Sequence, residues 1–275
     1  MNEPLMTVVM SSYNQEKYIS EAIESVLMQK TDFPVRLIVT DDHSTKDGTV
    51  GIIRRYVAKY PDRIVALLNG ENGRYLKNVL RAMAQVKSEY YTLLDADDYW
   101  TDPNYLAEAV AFLKTYPDHT VYGRCLAWRK EDGSSGRQFP ETWKGYDADF
   151  EEFMRRNLPS PLTPAAVFRN VIFREGVPDF LLQAVGTSRE RPFDGDVFRF
   201  FQHLDRGRAF FENKVSGVYR MSDAGIFVGM SPAKRHFIQA WCFILYARHF
   251  GRARRRFLKL AWRQVRAGLR SLIMV

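Results

Sequence analysis

Leu93-Leu94-Asp95-Ala96-Asp97-Asp98-Tyr99-Trp100 carries an apolar run straight into three carboxylates within four positions. Crowding them is unfavourable, because neighbouring like charges resist joint ionisation unless a cation lies between them. Carboxylate oxygens suit a hard divalent ion such as Mg²⁺ or Mn²⁺, which keeps positions open for a diphosphate and neutralises charge on a departing group. The location fits as well, since open α/β sheets bind ligands beyond the carboxyl ends of their strands. The plainer reading is a strand-to-helix loop whose aspartates cap the next helix and face water.

Outward from this stretch, short β-branched runs alternate with amphipathic helical segments up to about residue 127, the pattern of βαβ units around a mostly parallel sheet. Strands are predicted at Met6 to Ser12, Val35 to Thr40, Ile64 to Leu68 and Tyr90 to Leu94. Helices are predicted at Glu16 to Gln29, after Ser44 and Asp47 as N-cap residues, from Tyr75 to Val86, and after Asp102 as N-cap with Pro103 at the first helical position. A second acidic pair, Asp41-Asp42, also ends an apolar strand. Parallel strands would bring it near the first cluster, where a carboxylate can accept hydrogen bonds from a ribose or a base; alone, the pair also reads as an Asx turn. From Glu131 to Asp149 the chain is polar and glycine-containing and is expected to be a loop. Short strands and helices are expected from Ala165 to Tyr219. Three regions follow: an α/β region over 1–127, a second region over 128–231, and a basic amphipathic helical tail over 232–275.

The chain has 275 residues, 46% of them hydrophobic, enough for a substantial core. Its two cysteines, Cys125 and Cys242, match neither a disulfide framework nor a CxxC pattern, so free thiols in a reducing compartment are expected. The start, Met1-Asn2-Glu3-Pro4, does not read as a signal peptide. The apolar stretch Phe237 to Ala247 falls well short of the roughly 20 residues that span a bilayer. A cytoplasmic protein is expected, with peripheral attachment to the inner face of the cell membrane. The charge of +8 is uneven: eleven of the 40 Lys and Arg residues, and none of the 32 Asp and Glu, lie from Ala224 onward. Absent motifs narrow the chemistry. No GxG and no GxxxxGK[ST] occurs, which disfavours dinucleotide-dependent dehydrogenases and phosphate-loop NTPases.

Val8-Val9-Met10-Ser11-Ser12-Tyr13-Asn14, then Ser25-Val26-Leu27-Met28-Gln29, then Asp41-Asp42-His43-Ser44-Thr45-Lys46-Asp47-Gly48-Thr49, then Asn72-Gly73, Lys77-Asn78 and the acidic cluster resemble, in order and spacing, the motifs of family 2 glycosyltransferases. These are inverting enzymes of the GT-A fold. The extension Asp97-Asp98-Tyr99-Trp100-Thr101-Asp102-Pro103 is similar to the version in bacterial surface-polysaccharide enzymes. The resemblance covers about residues 5 to 115 densely. It implies an α/β GT-A-like fold, and it implies that Ser12, Tyr13 and Asn14 line the nucleotide pocket, that Asp42 reads the base, and that Lys77 lies near the diphosphate. It further implies that Asp95 faces the ribose or a Mn or Mg ion, that Asp97 holds the metal, and that Asp98 is a third member. His43 stands where the family usually has glycine, and Ser222 where many relatives place a histidine, two residues after Val218-Tyr219-Arg220.

An inverting transfer needs a carboxylate to deprotonate the acceptor hydroxyl as it attacks the anomeric carbon. Phe193-Asp194-Gly195-Asp196-Val197 resembles the family's acidic residue at the start of a helix. Asp196 is the favoured base and Asp194 the runner-up; an N-cap role is the bland alternative. From Arg252 to Arg270 the basic residues Arg254, Arg255, Arg256, Lys259, Arg263, Arg266 and Arg270 interleave with Phe257, Leu258, Ala261, Trp262, Val265 and Leu269, an apolar stripe suited either to an anionic membrane surface or to packing on the body. No nucleic acid partner is expected. The function read here is transfer of a sugar from a nucleotide-diphosphate donor to a glycan or lipid-linked acceptor in bacterial polysaccharide or glycolipid assembly. The rivals are a catalytically silent nucleotide-sugar-binding protein and a sugar-phosphate nucleotidyltransferase.

Overall fold

The β-branched run Met6–Ser12 forms β1, and Val8, Val9 and Met10 are buried, as expected of a central strand covered on both faces. In a computed structural model that describes residues 4–221 and 229–273, it is followed by α1 (Ile19–Leu27), β2 (Val35–Asp41), α2 (Thr49–Lys59), β3 (Ile64–Leu68), α3 (Arg74–Met83) and β4 (Tyr90–Asp95). Next come β5 (Tyr99–Trp100), α4 (Tyr105–Thr115), β6 (His119–Lys130), β7 (Ser135–Arg137), β8 (Tyr146–Ala148), α5 (Phe150–Arg156) and β9 (Ala166–Arg169). The chain closes with α6 (Asp179–Leu182), α7 (Glu190–Asp194), α8 (Asp196–Leu204), β10 (Arg208–Met221), α9 (Pro232–His249) and α10 (Arg254–Ile273).

One sheet runs in the order β3-β2-β1-β4-β9-β6-β10-β5, with β7 on β6 and β8 on β10. The first four strands are parallel, as expected of βαβ units, and place β1 between β2 and β4. Beyond them β9 enters antiparallel between β4 and β6, while β10 lies parallel to β6. Residue 127 falls inside β6, so the regions on either side of it share one sheet. Within the expected loop 131–149, β7 and β8 add short antiparallel edges.

Helix starts differ from the sequence reading where a side chain found a better partner. Ser44 bonds Asp41 rather than capping, and α2 begins after Gly48. The Asp102 carboxylate accepts the Asn104 N–H at 2.9 Å and an Arg124 N–H at 2.9 Å, so α4 begins only at Tyr105. Arg124 is fully buried and also bonds Glu108 and Glu212. That knot ties the loop after the acidic cluster to α4, β6 and β10.

The tail divides its apolar residues between two faces. Phe257 and Ala261 are buried, with Phe257 edge-on to Phe201 at 5.1 Å. Leu258, Trp262 and Leu269 are 44%, 61% and 48% exposed, so the single stripe read from the sequence is two stripes, one of them unburied. No helix among the described residues is long and apolar enough to cross a membrane.

Candidate active site

The parallel register carries the chemistry to one edge. Ser11 pairs with Asp95 across β1 and β4, and Ser12 with Asp41 across β1 and β2. The carboxyl ends of β2 and β4 therefore flank β1, each about 4.8 Å away in the ladder. The Ser11 hydroxyl donates to Asp95 Oδ1 at 2.8 Å. The Ser12 hydroxyl is buried without a partner. Tyr13 is exposed. Asn14 sits in the left-handed region at φ 51°, where its backbone N–H donates to Ser44 Oγ at 2.7 Å and its side chain accepts from the Lys46 N–H.

His43 has φ 65°, the left-handed conformation that favours glycine. The turn takes this conformation without a glycine, with the imidazole Nδ1 3.3 Å from the Asn69 carbonyl. Asp42 is buried beneath it and accepts the Gly73 N–H at 2.8 Å, pinning the loop that opens α3. Asp41 is spent on Ser44. The Lys77 ammonium reaches the exposed Glu71 carboxylate at 2.6 Å rather than the acidic cluster.

After β4 the chain makes a four-residue turn, closed by the Asp98 N–H on the Asp95 carbonyl at 3.0 Å. Asp98 is buried; its Oδ1 accepts the Arg220 N–H from β10 at 2.8 Å, while Oδ2 has no partner. That holds Asp98 beneath the turn. Asp95 and Asp97 stay partly exposed. Burial first, then the Asp97 charge, pushes the Asp95 carboxyl up to about 6, against the pull of the Ser11 hydroxyl. Burial likewise raises Asp97, and burial followed by Asp97 and Asp95 raises Asp98 well above the ordinary range. Among the described residues no three His, Cys, Asp or Glu side chains form a metal cluster. The oxygen donors available are those of Asp95 and Asp97, together with the unpartnered Oδ2 of Asp98, a hard set whose repulsion and desolvation a divalent cation would relieve.

Arg220 secures the turn. Its guanidinium donates to the Asp97 carbonyl at 2.5 Å, pairs with Glu21, and lies over the rings of Tyr99 and Tyr18 at 4.3 and 4.8 Å. β10 comes this close because Gly217 faces Tyr99, where a Cβ would sit 2.6 Å from the Tyr99 carbonyl oxygen.

Asp196, at the first position of α8, joins the same site. Its carboxylate is among the charges that raise Asp95 and Tyr219, so its field reaches the Asp95 turn. The Val197 N–H donates to its Oδ1 at 2.8 Å, and the Thr163 N–H also bonds it. Burial raises its carboxyl; Arg199, one helical turn on and buried, opposes that rise. Asp194 ends α7, and its side chain lies outside the described part of the structure, as does Ser222.

The sequence reading missed Arg199, Tyr219, Arg220 and Ser11. Arg199 had a local signal, three residues after Asp196 and so on one helix face. Tyr219, pushed to about 12 by burial and by Asp98, Asp97, Asp95 and Asp196, lies with Arg220 in the stretch Val218-Tyr219-Arg220, which the resemblance marked without giving either residue a role.

The comparisons with known proteins concern the family and the fold. An uncharacterized Mycobacterium tuberculosis protein is 35% identical over 173 residues, 63% of this chain and 49% of that protein. The chain spans about half the length of the curated relatives it matches. Staphylococcus aureus TarS residues 1–349, solved with UDP-GlcNAc, superposes with a TM-score of 0.63 at 20% identity, over 87% of this chain and 65% of that one. The Pyrobaculum calidifontis mannosyltransferase PcManGT, solved with GDP-Man and Mn²⁺, gives a TM-score of 0.63 at 18% identity, over 99% of this chain and 75% of that one. These likenesses establish the fold as GT-A. The Glycosyl transferase family 2 model matches residues 7–177, which span the strand ends, the Asp95 to Asp98 turn and β9, and the chain belongs to that family.

Proposed function

We propose that this chain transfers a sugar from a nucleoside-diphosphate donor to an acceptor hydroxyl, with inversion, in glycan assembly. The observation that carries this reading is the convergence of two desolvated carboxylates after β4 with a third, Asp196, from a helix about 100 residues later.

In this reading residues 1–127 hold the donor. Ser12, Tyr13, Asn14 and Asp42 surround the nucleotide, with the unpartnered Ser12 hydroxyl free to bond it. Asp95 and Asp97 would hold a Mn or Mg ion, which would supply charge neutralisation to the departing nucleoside diphosphate. Asp98 and Arg220 position that turn, and Lys77 would have to leave Glu71 to reach a phosphate. Asp196, in the region 128–231, takes the acceptor proton as the oxygen attacks the anomeric carbon. A raised carboxyl pKa suits that work, because a stronger base removes a hydroxyl proton more readily. Solved GT-A proteins with UDP-GlcNAc, or with GDP-Man and Mn²⁺, support the donor class.

Incubation with a panel of UDP- and GDP-sugars and Mn²⁺ should release the matching nucleoside diphosphate, stopped by chelator. Binding of donor without release would favour a silent nucleotide-sugar-binding protein, and pyrophosphate release from a nucleoside triphosphate a nucleotidyltransferase; either result overturns the proposal.

The exposed face of α10 supports attachment to an anionic membrane surface. Leu258, Trp262 and Leu269 lie along one side, flanked by Arg255, Arg266 and Arg270. Each basic residue near an anionic surface contributes about 1 kcal/mol, so a few suffice for peripheral binding. Because Phe257 and Ala261 belong to the core, point changes test this better than truncation. Trp262→Gln with Leu269→Gln should weaken co-sedimentation with phosphatidylglycerol vesicles at least ~10-fold, without loss of nucleotide binding. Equal binding of the intact protein to phosphatidylcholine and phosphatidylglycerol vesicles would remove the electrostatic account.

A further inference from the structure

A cavity of about 830 Å³ opens between α5, the loop after it, α8 and the α9–α10 pair. One wall is apolar, built from Phe153, Leu158, Phe201 and Leu260. Basic residues share the lining: Arg155, Arg256, Lys259 and Arg263 contribute to it, and no Asp or Glu does so among the described residues. Arg256 is paired with Glu151 at 3.2 Å, but Arg155, Lys259 and Arg263 have no ion-pair partner among the described residues. Three free cations facing an acid-free apolar wall match an amphiphilic anion. The volume is within the roughly 300–1,000 Å³ typical of ligand pockets.

The position gives the cavity a purpose. Val197, whose N–H bonds Asp196 at 2.8 Å, forms part of its lining. The loop that leaves α5 lines it at Asn157 and Ser160 and then delivers the Thr163 N–H to the same carboxylate. On α10, at about 100° per residue, Lys259 and Arg263 lie between the exposed stripe of Leu258 and Trp262 and the cavity side at Leu260.

We propose that this cavity is the acceptor subsite and takes the phosphate-bearing end of an amphiphilic acceptor. The phosphate lies on Arg155, Lys259 and Arg263, with the adjoining apolar chain against Phe153, Phe201 and Leu260. This rests on the glycosyltransferase reading for its purpose, though not for its ligand. The nucleotide end of the sheet has its own residues, so the two sites fill independently.

Decyl phosphate, decanol and inorganic phosphate, each titrated into the full chain below the micelle concentration of decyl phosphate, separate the contributions. Decyl phosphate should bind one to one and at least ~10-fold more tightly than either fragment, since neither offers both the apolar and the charged contacts. Lys259→Gln with Arg263→Gln should weaken it at least ~10-fold, Arg263→Lys much less because the charge stays, and Trp262→Gln not at all. Equal binding of decanol, equal binding of inorganic phosphate, no saturable binding, or an unaffected double variant would each overturn the subsite. UDP with Mn²⁺ is titrated in parallel: nucleotide binding without decyl phosphate binding sinks the subsite alone, and the reverse sinks the transferase reading while the amphiphile site stands.

Discussion

Asp196→Asn is expected to lower kcat by about 10²–10⁴-fold, the usual worth of a positioned general base, while donor and Mn²⁺ affinity stay within about twofold. Asparagine keeps the Oδ1 acceptor that the Val197 N–H uses, so α8 should start as before. The proton-accepting charge is what disappears. Loss confined to kcat is diagnostic, because a base acts in the chemical step and contributes nothing to ground-state donor binding. Burial raises the Asp196 carboxyl, and the deprotonated form is the working one. Turnover of the native chain at saturating Mn²⁺ should therefore rise with pH through a value above the ordinary carboxylate range. Steady-state kinetics with nucleotide binding measured separately decides the matter. If Asp194→Asn shows this phenotype instead, the base lies at the end of α7, and if nucleotide affinity falls together with kcat, Asp196 belongs to the donor site.

Local pattern was enough for the first half of the sheet. β1 and β3 begin and end where the β-branched runs do, and β2 and β4 each extend one residue further, to Asp41 and Asp95, because β1 supplies Ser12 and Ser11 as ladder partners. The two acidic strand ends lie on either side of β1, as parallel strands required. What was not legible depended on partners distant in sequence. β9 is four residues long and wedges antiparallel between β4 and β6, a placement that no periodicity announces. Arg199 shares a helix face with Asp196, but its burial and the pull of its charge on Asp95, a hundred residues earlier, were not local features. The resemblance made Asp98 a third member of the metal set, and its Oδ2 is left without a partner. Its burial and its bond to the Arg220 N–H arise only when β10 closes over the turn.

The tail shows the same limit in another form. One helical stripe of Phe257, Leu258, Ala261, Trp262 and Leu269 is wide enough to serve two neighbours, and the sequence does not say where one surface ends. Packing on Phe201 and Phe250 takes Phe257, and what remains exposed is the side that bears Trp262. Membrane and body are thus not exclusive partners for α10.

Asp97→Asn should abolish the Mn²⁺ dependence of donor binding, and with it turnover, without unfolding the chain. Removing a group that only orients a metal ligand costs about 10–100-fold in metal affinity, so removing a ligand from a two-carboxylate set should exceed ~100-fold. The fold is insulated from the change. Arg220 holds the Asp97 backbone carbonyl, and the 3.0 Å turn bond is also backbone, so neither depends on the carboxylate. Its charge, moreover, pushes up both Asp95 and Asp98. With no ion present the variant should therefore melt no lower than the native chain, because a desolvated like charge has been removed. Added Mn²⁺ and nucleoside diphosphate should then raise the melting temperature of the native chain and leave the variant's unchanged, since only a ligand that binds the folded state shifts that balance. Asp98→Ala provides the contrast: it removes the acceptor that the Arg220 N–H of β10 uses, so its main loss should be in melting temperature. A variant at Asp97 that keeps its Mn²⁺-dependent shift, or a native chain as active in chelator as in Mn²⁺, would remove the ion from the reaction and leave Asp97 as a turn residue.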